Sequence, residues 1–254
     1  MTRKGIFSLL AARYDVGGEF PAASSEKGPC GTELPRECLD FLERERIRIR
    51  ELQGYERGKG GCRVIAGLDE SGRGPLAGPV VASAVVFTDA PFIPFVDDSK
   101  KLLEGERLQL SRWIRSHAAA VGIGIVEHYE IDSLNVHRAS LEAMARAVRE
   151  LPLMPDLLIV DGLFTLPGFN GAQQAVVKGD SLSFSIACAS IMAKTTRDAI
   201  MEGYERQYPG YGFSRHKGYP TAEHLRALRE RGVLPVHRRS FGPVKECLQV
   251  SHGR

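Results

Sequence analysis

The sequence predicts an α/β fold in which a mixed β-sheet is flanked by helices. Strand-like apolar runs alternate with helix-like segments through residues 61–254, as is typical of α/β domains. Two of these runs, 79–87 and 155–161, are apolar almost throughout, as expected for strands that are buried on both faces. Since 43% of the 254 residues are hydrophobic, the chain has enough apolar side chains to fill a large core.

The first sixty residues are predicted to form an N-terminal extension, and residues 61–254 the main domain. Residues 1–32 are rich in Gly, Ser, Ala and Pro and show little periodicity, so we expect them to be poorly ordered or to act as a linker. Residues 34–58 mix acidic, basic and apolar side chains in a pattern that favours a helix. A glycine-rich stretch at 58–61 is the expected end of that helix.

The strands of the main domain are predicted from short apolar runs that turn residues separate. The first run is followed directly by two acidic residues, and the fourth ends in an aspartate. The predicted strands are 62–68, 79–87, 119–126, 155–161 and 174–177.

The helices are predicted from longer segments with apolar side chains at helical spacing. The third of them is rich in small residues, which indicates close packing against the sheet. The last helix is expected to stop at Gly232, so the C-terminal region is predicted to be helical. The predicted helices are 104–118, 135–151, 183–208 and 221–231.

The composition argues against several classes of protein. No apolar stretch is long enough to span a bilayer, so no transmembrane helix and no membrane partner are expected. The five cysteines form no Cys-x-x-Cys pair, which indicates reduced thiols in a cytoplasmic protein rather than a disulfide frame or a zinc site. Residues 194–254 carry twelve Lys and Arg against six Asp and Glu. This excess favours a phosphate-binding surface, although a solvated basic helix face would give the same count.

The most informative run in the chain is Asp-Glu-Ser-Gly-Arg-Gly. Asp69 and Glu70 follow an apolar strand, and carboxylates are the ligands that hard divalent cations prefer. Gly72 and Gly74 bracket Arg73 and allow the backbone to approach a sugar or phosphate closely. Because consecutive strand residues point to opposite faces, we expect a turn or bulge that lets Glu70 join Asp69. The run indicates metal-dependent chemistry on a nucleic acid, whereas an acidic pair alone would indicate only a turn.

Two further carboxylates lie where an active site would place them. Asp161 ends a predicted strand, and Asp180 precedes the long helix. Strand ends are usual positions for sites in open α/β sheets, and clustered buried carboxylates require cations to neutralise them. Each acid also has a structural interpretation. Asp161 with the following glycine is a common turn pair, and Asp180 could be a helix N-cap.

In these segments the chain resembles the bacterial ribonuclease HII family. The resemblance extends over about residues 61–250 and includes Val-Asp-Gly at Asp161 and Lys-Gly-Asp at Asp180. Ser71 departs from it, because the family usually has alanine at this position. Serine there also occurs in the sister family, ribonuclease HIII, which lacks the Gly-Arg-Gly triplet that this chain has.

The resemblance implies a ribonuclease H-like fold and cleavage of RNA within RNA–DNA duplexes. It implies two divalent ions, Mn²⁺ or Mg²⁺, that together promote phosphodiester hydrolysis. Asp69 and Asp161 would be the core ligands of these ions. Glu70 and Asp180 would complete the coordination, with Asp180 at the second ion or acting through water.

The resemblance also implies how the substrate is recognised. Gly72, Arg73 and Gly74 would read the ribonucleotide at an RNA-to-DNA step, since the 2′-hydroxyl is what separates RNA from DNA. Tyr219, in a His-Lys-Gly-Tyr segment, would stack on the neighbouring deoxyribose. The expected cut lies 5′ to the ribonucleotide and leaves a 3′-hydroxyl and a 5′-phosphate.

Further substrate contacts are implied by three more matching segments. Ser99 and Lys100 would contact phosphate, Ser185 and Lys194 would face the substrate, and residues 237–241 would contact the nucleic-acid backbone. The histidines of the basic region lack metal-ligand spacing, so we expect phosphate contacts or structural roles. They are His216, His224 and His237.

Two other functions remain open at this level. A preference for RNA runs, as in ribonuclease HIII, has only Ser71 in its favour. A catalytically silent hybrid-binding module would gain nothing from four acids beside DNA. The resemblance suggests a monomer, and neither the role of residues 1–60 nor a partner in the replication machinery follows from the sequence.

Overall fold

A computed structural model of the chain describes residues 1–14, 20 and 33–252. Its centre is a five-stranded sheet of order β3-β2-β1-β4-β5. The neighbours β1–β2 and β2–β3 are antiparallel, whereas β1–β4 and β4–β5 are parallel, so the predicted mixed sheet is confirmed. The strands are β1 (Ile65–Ser71), β2 (Val80–Val86), β3 (Ala120–Val126), β4 (Leu157–Asp161) and β5 (Ala172–Val176).

Helices cover both faces of this sheet and form the C-terminal region, as predicted. Four helices of the described residues were not predicted individually: Arg3–Arg13, His128–Leu134, Phe213–His216 and Gly242–His252. The helices are α1 (Arg3–Arg13), α2 (Arg36–Arg57), α3 (Glu104–His117), α4 (His128–Leu134), α5 (Val136–Arg149), α6 (Phe184–Gln207), α7 (Phe213–His216), α8 (Ala222–Arg231) and α9 (Gly242–His252).

Small residues let the two long helices approach the sheet closely. Helix α6 packs against β1 and β2 on one face, and α5 packs against β3 and β2 on the other. A Cβ atom on Gly124 of β3 would lie 1.9 Å from the Ala143 carbonyl oxygen of α5. A Cβ atom on Gly67 of β1 would lie 2.4 Å from the Ile186 nitrogen of α6. Glycine is therefore required at both positions for this packing distance.

A helix lies near the start of the chain, which corrects the expectation of poor order for that part of residues 1–32. Arg3–Arg13 form a helix whose Ile6 and Leu10 are buried in the main core. The Trp113 indole donates a hydrogen bond of 3.0 Å to the Tyr14 carbonyl. Phe7 of α1 packs on Phe95 and Trp113, and such distant contacts are not revealed by local composition. Residues 15–19 and 21–32 lie outside the described part of the chain.

The predicted helix at 34–58 is confirmed as α2, and its end is tied to the sheet-packing helix α6. The Glu56 carboxylate accepts hydrogen bonds from the Ser183 hydroxyl at 2.6 Å and from the Ser185 N–H at 2.7 Å. These donors belong to the first turn of α6, where a negative charge is favourable. The extension and the main domain therefore share one packed structure at this point.

None of the helices in the described residues is both long enough and apolar enough to cross a membrane.

Candidate active site

Two of the predicted acids are neighbours at the carboxyl ends of parallel strands. Leu68 of β1 pairs with Val160 of β4, so Asp69 and Asp161 follow at the same level of the sheet. Gly67 and Ile159, two residues before each acid, pack against α6, and side chains two apart share a face. The two aspartates therefore point toward α6 side by side.

Burial makes Asp69 the most perturbed of these acids. Its side chain is almost completely buried, and this burial raises its pKa well above the usual range. The charges of Glu70 and Asp161 raise the pKa of Asp69 further, whereas hydrogen bonds from Ser190 and from the Glu70 N–H lower it. The Glu70 N–H lies 2.7 Å from Asp69 Oδ1. A charged Asp69 is thus costly in the protein alone and would be relieved by a cation.

Glu70 belongs to the cluster electrostatically, but not through a bulge. The register between β1 and β2 is unbroken from Ala66 to Ser71, so the predicted turn or bulge is wrong. Backbone pairing continues through both acids, and Glu70 points away from Asp69. Burial raises the pKa of Glu70, the Arg73 guanidinium 3.3 Å away lowers it, and the charge of Asp161 raises it. Glu70 is therefore coupled to Asp161 through its charge.

Asp180 lies close to Asp161 because the residue before it, Gly179, forms a hydrogen bond with the Asp161 carboxylate. The Gly179 N–H donates a hydrogen bond of 2.7 Å to Asp161 Oδ1, at the start of a 3₁₀ turn that contains Asp180. Burial raises the pKa of Asp180, and the charge of Asp161 adds to this. The N-cap of α6 is Ser183, whose hydroxyl accepts from the Ile186 N–H. The N-cap interpretation of Asp180 is therefore wrong, and the acid is available to the cluster.

Ser99 and Lys100 lie on different sides of the acids. Ser99 is buried, and its hydroxyl is 2.9 Å from that of Ser190, which in turn bonds Asp69. Lys100 is exposed. Its pKa is raised because nearby carboxylate charges, led by Asp98 and Asp69, outweigh the effect of burial. Lys100 is thus a cation near the acid cluster, while Ser99 contacts Asp69 indirectly, through Ser190.

The structure places Tyr219 beside the Gly-Arg-Gly loop. Gly72 has a φ of +102°, which favours glycine, and a Cβ atom there would overlap the Arg197 side chain. A Cβ atom on Gly74 would lie 3.5 Å from Tyr219 Cε1. Tyr219 is 43% exposed, so its ring lines an open surface beside the loop.

Ser185 and Lys194 are engaged within the protein. Ser185 is fully buried, and its hydroxyl is 2.9 Å from a carboxylate oxygen of Glu56. Lys194 forms an ion pair with Asp198 one turn further along α6. Burial lowers the pKa of Lys194, and its bond to Asp198 opposes this. Both side chains therefore have partners within the protein.

The segment 237–241 begins with two buried residues. His237 and Arg238 are completely buried, so the predicted backbone contact is wrong for these two residues. His237 Nε2 lies 3.0 Å from His224 Nε2, and the His224 and His216 rings stack at 4.5 Å. The three histidines lie beneath the turn that carries Tyr219, because His224 Nδ1 is 3.0 Å from the Tyr219 carbonyl oxygen.

Two buried arginines were missed by sequence reasoning. Arg197 of α6 and Arg238 donate hydrogen bonds to backbone carbonyls and, in one case, to the Met201 sulfur. Burial lowers the pKa of Arg197 to about 10, and burial together with the Arg197 charge lowers that of Arg238 to about 9. No local signal separates such arginines from surface ones, since their partners come from distant loops.

The acids fit an open metal site rather than a closed one. Among the described residues, no three His, Cys, Asp or Glu side chains converge well enough to hold an ion by themselves. The donors are nonetheless hard carboxylate oxygens, and burial together with the charges of Glu70 and Asp161 raises the pKa of Asp69. Mg²⁺ keeps several waters and uses substrate phosphates as ligands, so an incomplete protein cage suits it. Cys38, Cys62 and Cys188 are free thiols.

Comparison with known proteins agrees with this architecture. The profile of the ribonuclease HII family matches residues 66–244. The ribonuclease HII of Geobacter metallireducens is 51% identical over 202 residues, which cover 79% of this chain and 94% of that protein. The ribonuclease HII of Syntrophus aciditrophicus is 52% identical over 203 residues, covering 80% of this chain and 90% of that protein.

Solved structures show the same fold. Ribonuclease H2 from Pyrococcus horikoshii superposes with a TM-score of 0.64 at 25% identity, over 75% of this chain and all of that one. Bst-RNase HIII in complex with Mn²⁺ superposes with a TM-score of 0.56 at 17% identity, over 100% of this chain and 98% of that one. From the family match and the close relatives, the chain belongs to the ribonuclease HII family, whose members cleave the RNA of RNA–DNA hybrids.

Proposed function

We propose that this enzyme hydrolyses the RNA strand of RNA–DNA hybrids and also cuts on the 5′ side of single ribonucleotides embedded in duplex DNA, leaving 3′-hydroxyl and 5′-phosphate ends. One observation carries the proposal: the strand that bears Asp69 runs directly into the Gly-Arg-Gly loop, and Tyr219 packs against Gly74 of that loop. The acids of β1 are therefore followed directly by the loop and the tyrosine that we propose to recognise the substrate.

The acids would hold two divalent ions, Mn²⁺ or Mg²⁺. Asp69 and Asp161 are the proposed core ligands, with Glu70 and Asp180 completing the set. When bound, such ions activate water and stabilise the leaving oxygen of the phosphodiester. A Mn²⁺ ion is present in the solved Bst-RNase HIII complex, which supports the choice of metal by fold analogy alone.

The chain itself orients these carboxylates before any substrate arrives. The Glu70 N–H holds one oxygen of Asp69, and the Gly179 N–H holds one oxygen of Asp161, each at 2.7 Å. Fixed carboxylates lose little entropy when they bind a cation. Lys100 lies near the same acids and is suited to attract the phosphate that is cut.

Recognition of the ribonucleotide would fall to the loop and the tyrosine. Gly72, Arg73 and Gly74 are proposed to contact the ribose that carries the 2′-hydroxyl. The exposed ring of Tyr219 is proposed to stack on the deoxyribose that follows. Ser99, Ser185 and Lys194 remain proposed substrate-side residues, and their bonds within the protein support an indirect role.

The test is strand cleavage of a DNA duplex with one embedded ribonucleotide, in Mn²⁺ and in EDTA. We expect a single metal-dependent cut 5′ to the ribonucleotide and none in the all-DNA duplex. The Asp69→Asn variant is the matched control, since it removes the charge of one acid and keeps its shape.

Two other outcomes would redirect the proposal. Cleavage of a long RNA–DNA hybrid without any cut at the single ribonucleotide would indicate ribonuclease HIII-like specificity and give Ser71 a role. Tight hybrid binding with no turnover in Mn²⁺ would indicate a binding module. We further expect a monomer in the cytoplasm, and light scattering of the purified chain checks the oligomeric state.

A further inference from the structure

Arg238 is the buried side chain that grips the recognition loop. It is completely inaccessible to solvent. Its Nη2 donates to the Gly72 carbonyl at 2.6 Å, and its Nη1 donates to the Arg73 carbonyl at 2.9 Å. Its Nε donates to the Gly78 carbonyl at 2.9 Å, at the far end of the same loop. One planar guanidinium therefore holds both ends of the loop that follows β1.

A second buried guanidinium, that of Arg197, binds other carbonyls at the end of the same loop. Arg197 donates to the carbonyls of Ala77 at 3.1 Å and Pro79 at 3.0 Å, and to that of Lys217 at 2.9 Å. The Lys217 contact ties the loop to the turn that carries Tyr219. Burying two guanidinium groups that form no ion pair costs desolvation free energy, and apolar side chains of similar volume would fill the space without this cost. We therefore interpret the two arginines as holding the loop in one conformation through its carbonyls.

The carbonyl contacts determine which way the loop N–H groups point. In a trans peptide the C=O and the following N–H point in opposite directions. The Gly72 and Arg73 carbonyls point inward to Arg238, so the N–H groups of Arg73 and Gly74 point outward. Both residues are exposed, and no acceptor among the described residues takes either N–H group. Two successive free donors therefore face the surface beside Tyr219.

We propose that Arg238 is a positioning residue for ribonucleotide discrimination, because it sets the two outward N–H donors at which a ribose 2′-oxygen or its adjoining phosphate is received. Arg238 does not touch the substrate and acts only through the loop. This inference rests on the proposed function, since it assumes that the loop senses the ribose.

The experiment compares binding of two duplexes that differ by one 2′-hydroxyl. In an Asp69→Asn background with Mg²⁺, the dissociation constants are measured for a duplex with one ribonucleotide and for the same all-DNA duplex. Adding Arg238→Lys keeps the charge but loses the fork that spans two carbonyls. We expect the preference for the ribonucleotide to fall about tenfold, the equivalent of roughly one hydrogen bond, with all-DNA affinity little changed.

The matched control is Arg112→Lys in the same background. Arg112 is an exposed residue of α3, so this change repeats the chemistry away from the loop. An equal loss of affinity for both duplexes in the Arg238 variant would indicate a merely structural role and overturn the assignment. A parent that does not prefer the ribonucleotide duplex would instead refute the sensing part of the proposed function, and the Arg238 assignment with it.

A measurement on the unaltered chain covers the case in which the Arg238 variant does not fold. Amide hydrogen exchange in EDTA should be fast at Arg73 and Gly74 in the free protein. The ribonucleotide duplex should slow it more than the all-DNA duplex does. Slow exchange in the free protein, or equal protection by both duplexes, would contradict the outward donors.

Discussion

Acid should destabilise this protein through its buried histidines. The Leu234 N–H lies 2.9 Å from His237 Nδ1, so that nitrogen accepts and His237 Nε2 carries the proton. His237 Nε2 then donates to His224 Nε2, and His224 Nδ1 donates to the Tyr219 carbonyl. Each imidazole is neutral in a tautomer that its partners determine. A further proton on either ring would break this chain of bonds.

The size and direction of the effect follow from the two pKa values. Burial lowers the pKa of His224 from 6.5 to about 4, and burial with the neighbouring His224 lowers that of His237 to about 3. Between pH 6.5 and these values the unfolded chain binds more protons, so stability falls as pH falls. Each histidine then removes about 2 kcal/mol of stability at pH 5 relative to pH 8, and since the two are coupled, about 4 kcal/mol is an upper bound.

The assay is urea denaturation at pH 8, 6 and 5 for the wild type and for the His224→Gln, His237→Gln double variant. Buried acids such as Asp69, whose pKa is raised, gain stability in acid and oppose the histidines. Subtracting the variant from the wild type removes their contribution, because the acids are common to both. If the difference in unfolding free energy between the wild type and the variant is the same at pH 8 and pH 5, the two histidines are not buried in the neutral form.

Three more changes test other parts of the structure. Asp69→Asn should abolish cleavage in Mn²⁺ yet raise the free energy of unfolding in EDTA by about 1–3 kcal/mol, because a buried charge is removed; single-turnover cleavage and urea denaturation measure the two effects. Glu56→Ala should lower the free energy of unfolding by about 2–4 kcal/mol, since the donors of Ser183 and Ser185 lose their acceptor. An unchanged midpoint of urea denaturation would show that this contact between α2 and α6 does not stabilise the protein. Gly124→Ala should cost about 3 kcal/mol or more by pushing α5 from the sheet, and an unchanged melting temperature would contradict the packing.

Local pattern was sufficient for the sheet and for the pair of strand-end aspartates. The apolar runs around Val80–Val86 and Leu157–Asp161 mark buried strands, and parallel strands bring their ends to one edge. The course of β1 past its acids was not predictable, because it depends on pairing with β2. The continuous pairing of Asp69 with Ser83 and of Glu70 with Ala82 replaces the expected bulge.

Other features were missed because distant contacts decide them. Helix α1 is ordered by Trp113 and its neighbours, more than ninety residues away in sequence. Ser185 resembles a substrate contact in its local motif, yet Glu56 from the N-terminal extension takes its hydroxyl. Arginines in a basic segment are usually exposed, so Arg238 gave no sign that it is buried.

Helix α6 connects the residues that support Asp69 to those that support the Gly-Arg-Gly loop. Ser190, which supports Asp69, and Arg197, which supports the loop, are seven residues apart on this one helix, or roughly 10 Å at 1.5 Å per residue. An unbroken helix keeps these two residues at a fixed separation. Under the proposed function, the scissile phosphate and the ribose would therefore keep a constant offset, set by the geometry of the helix and not by the flexibility of the loop.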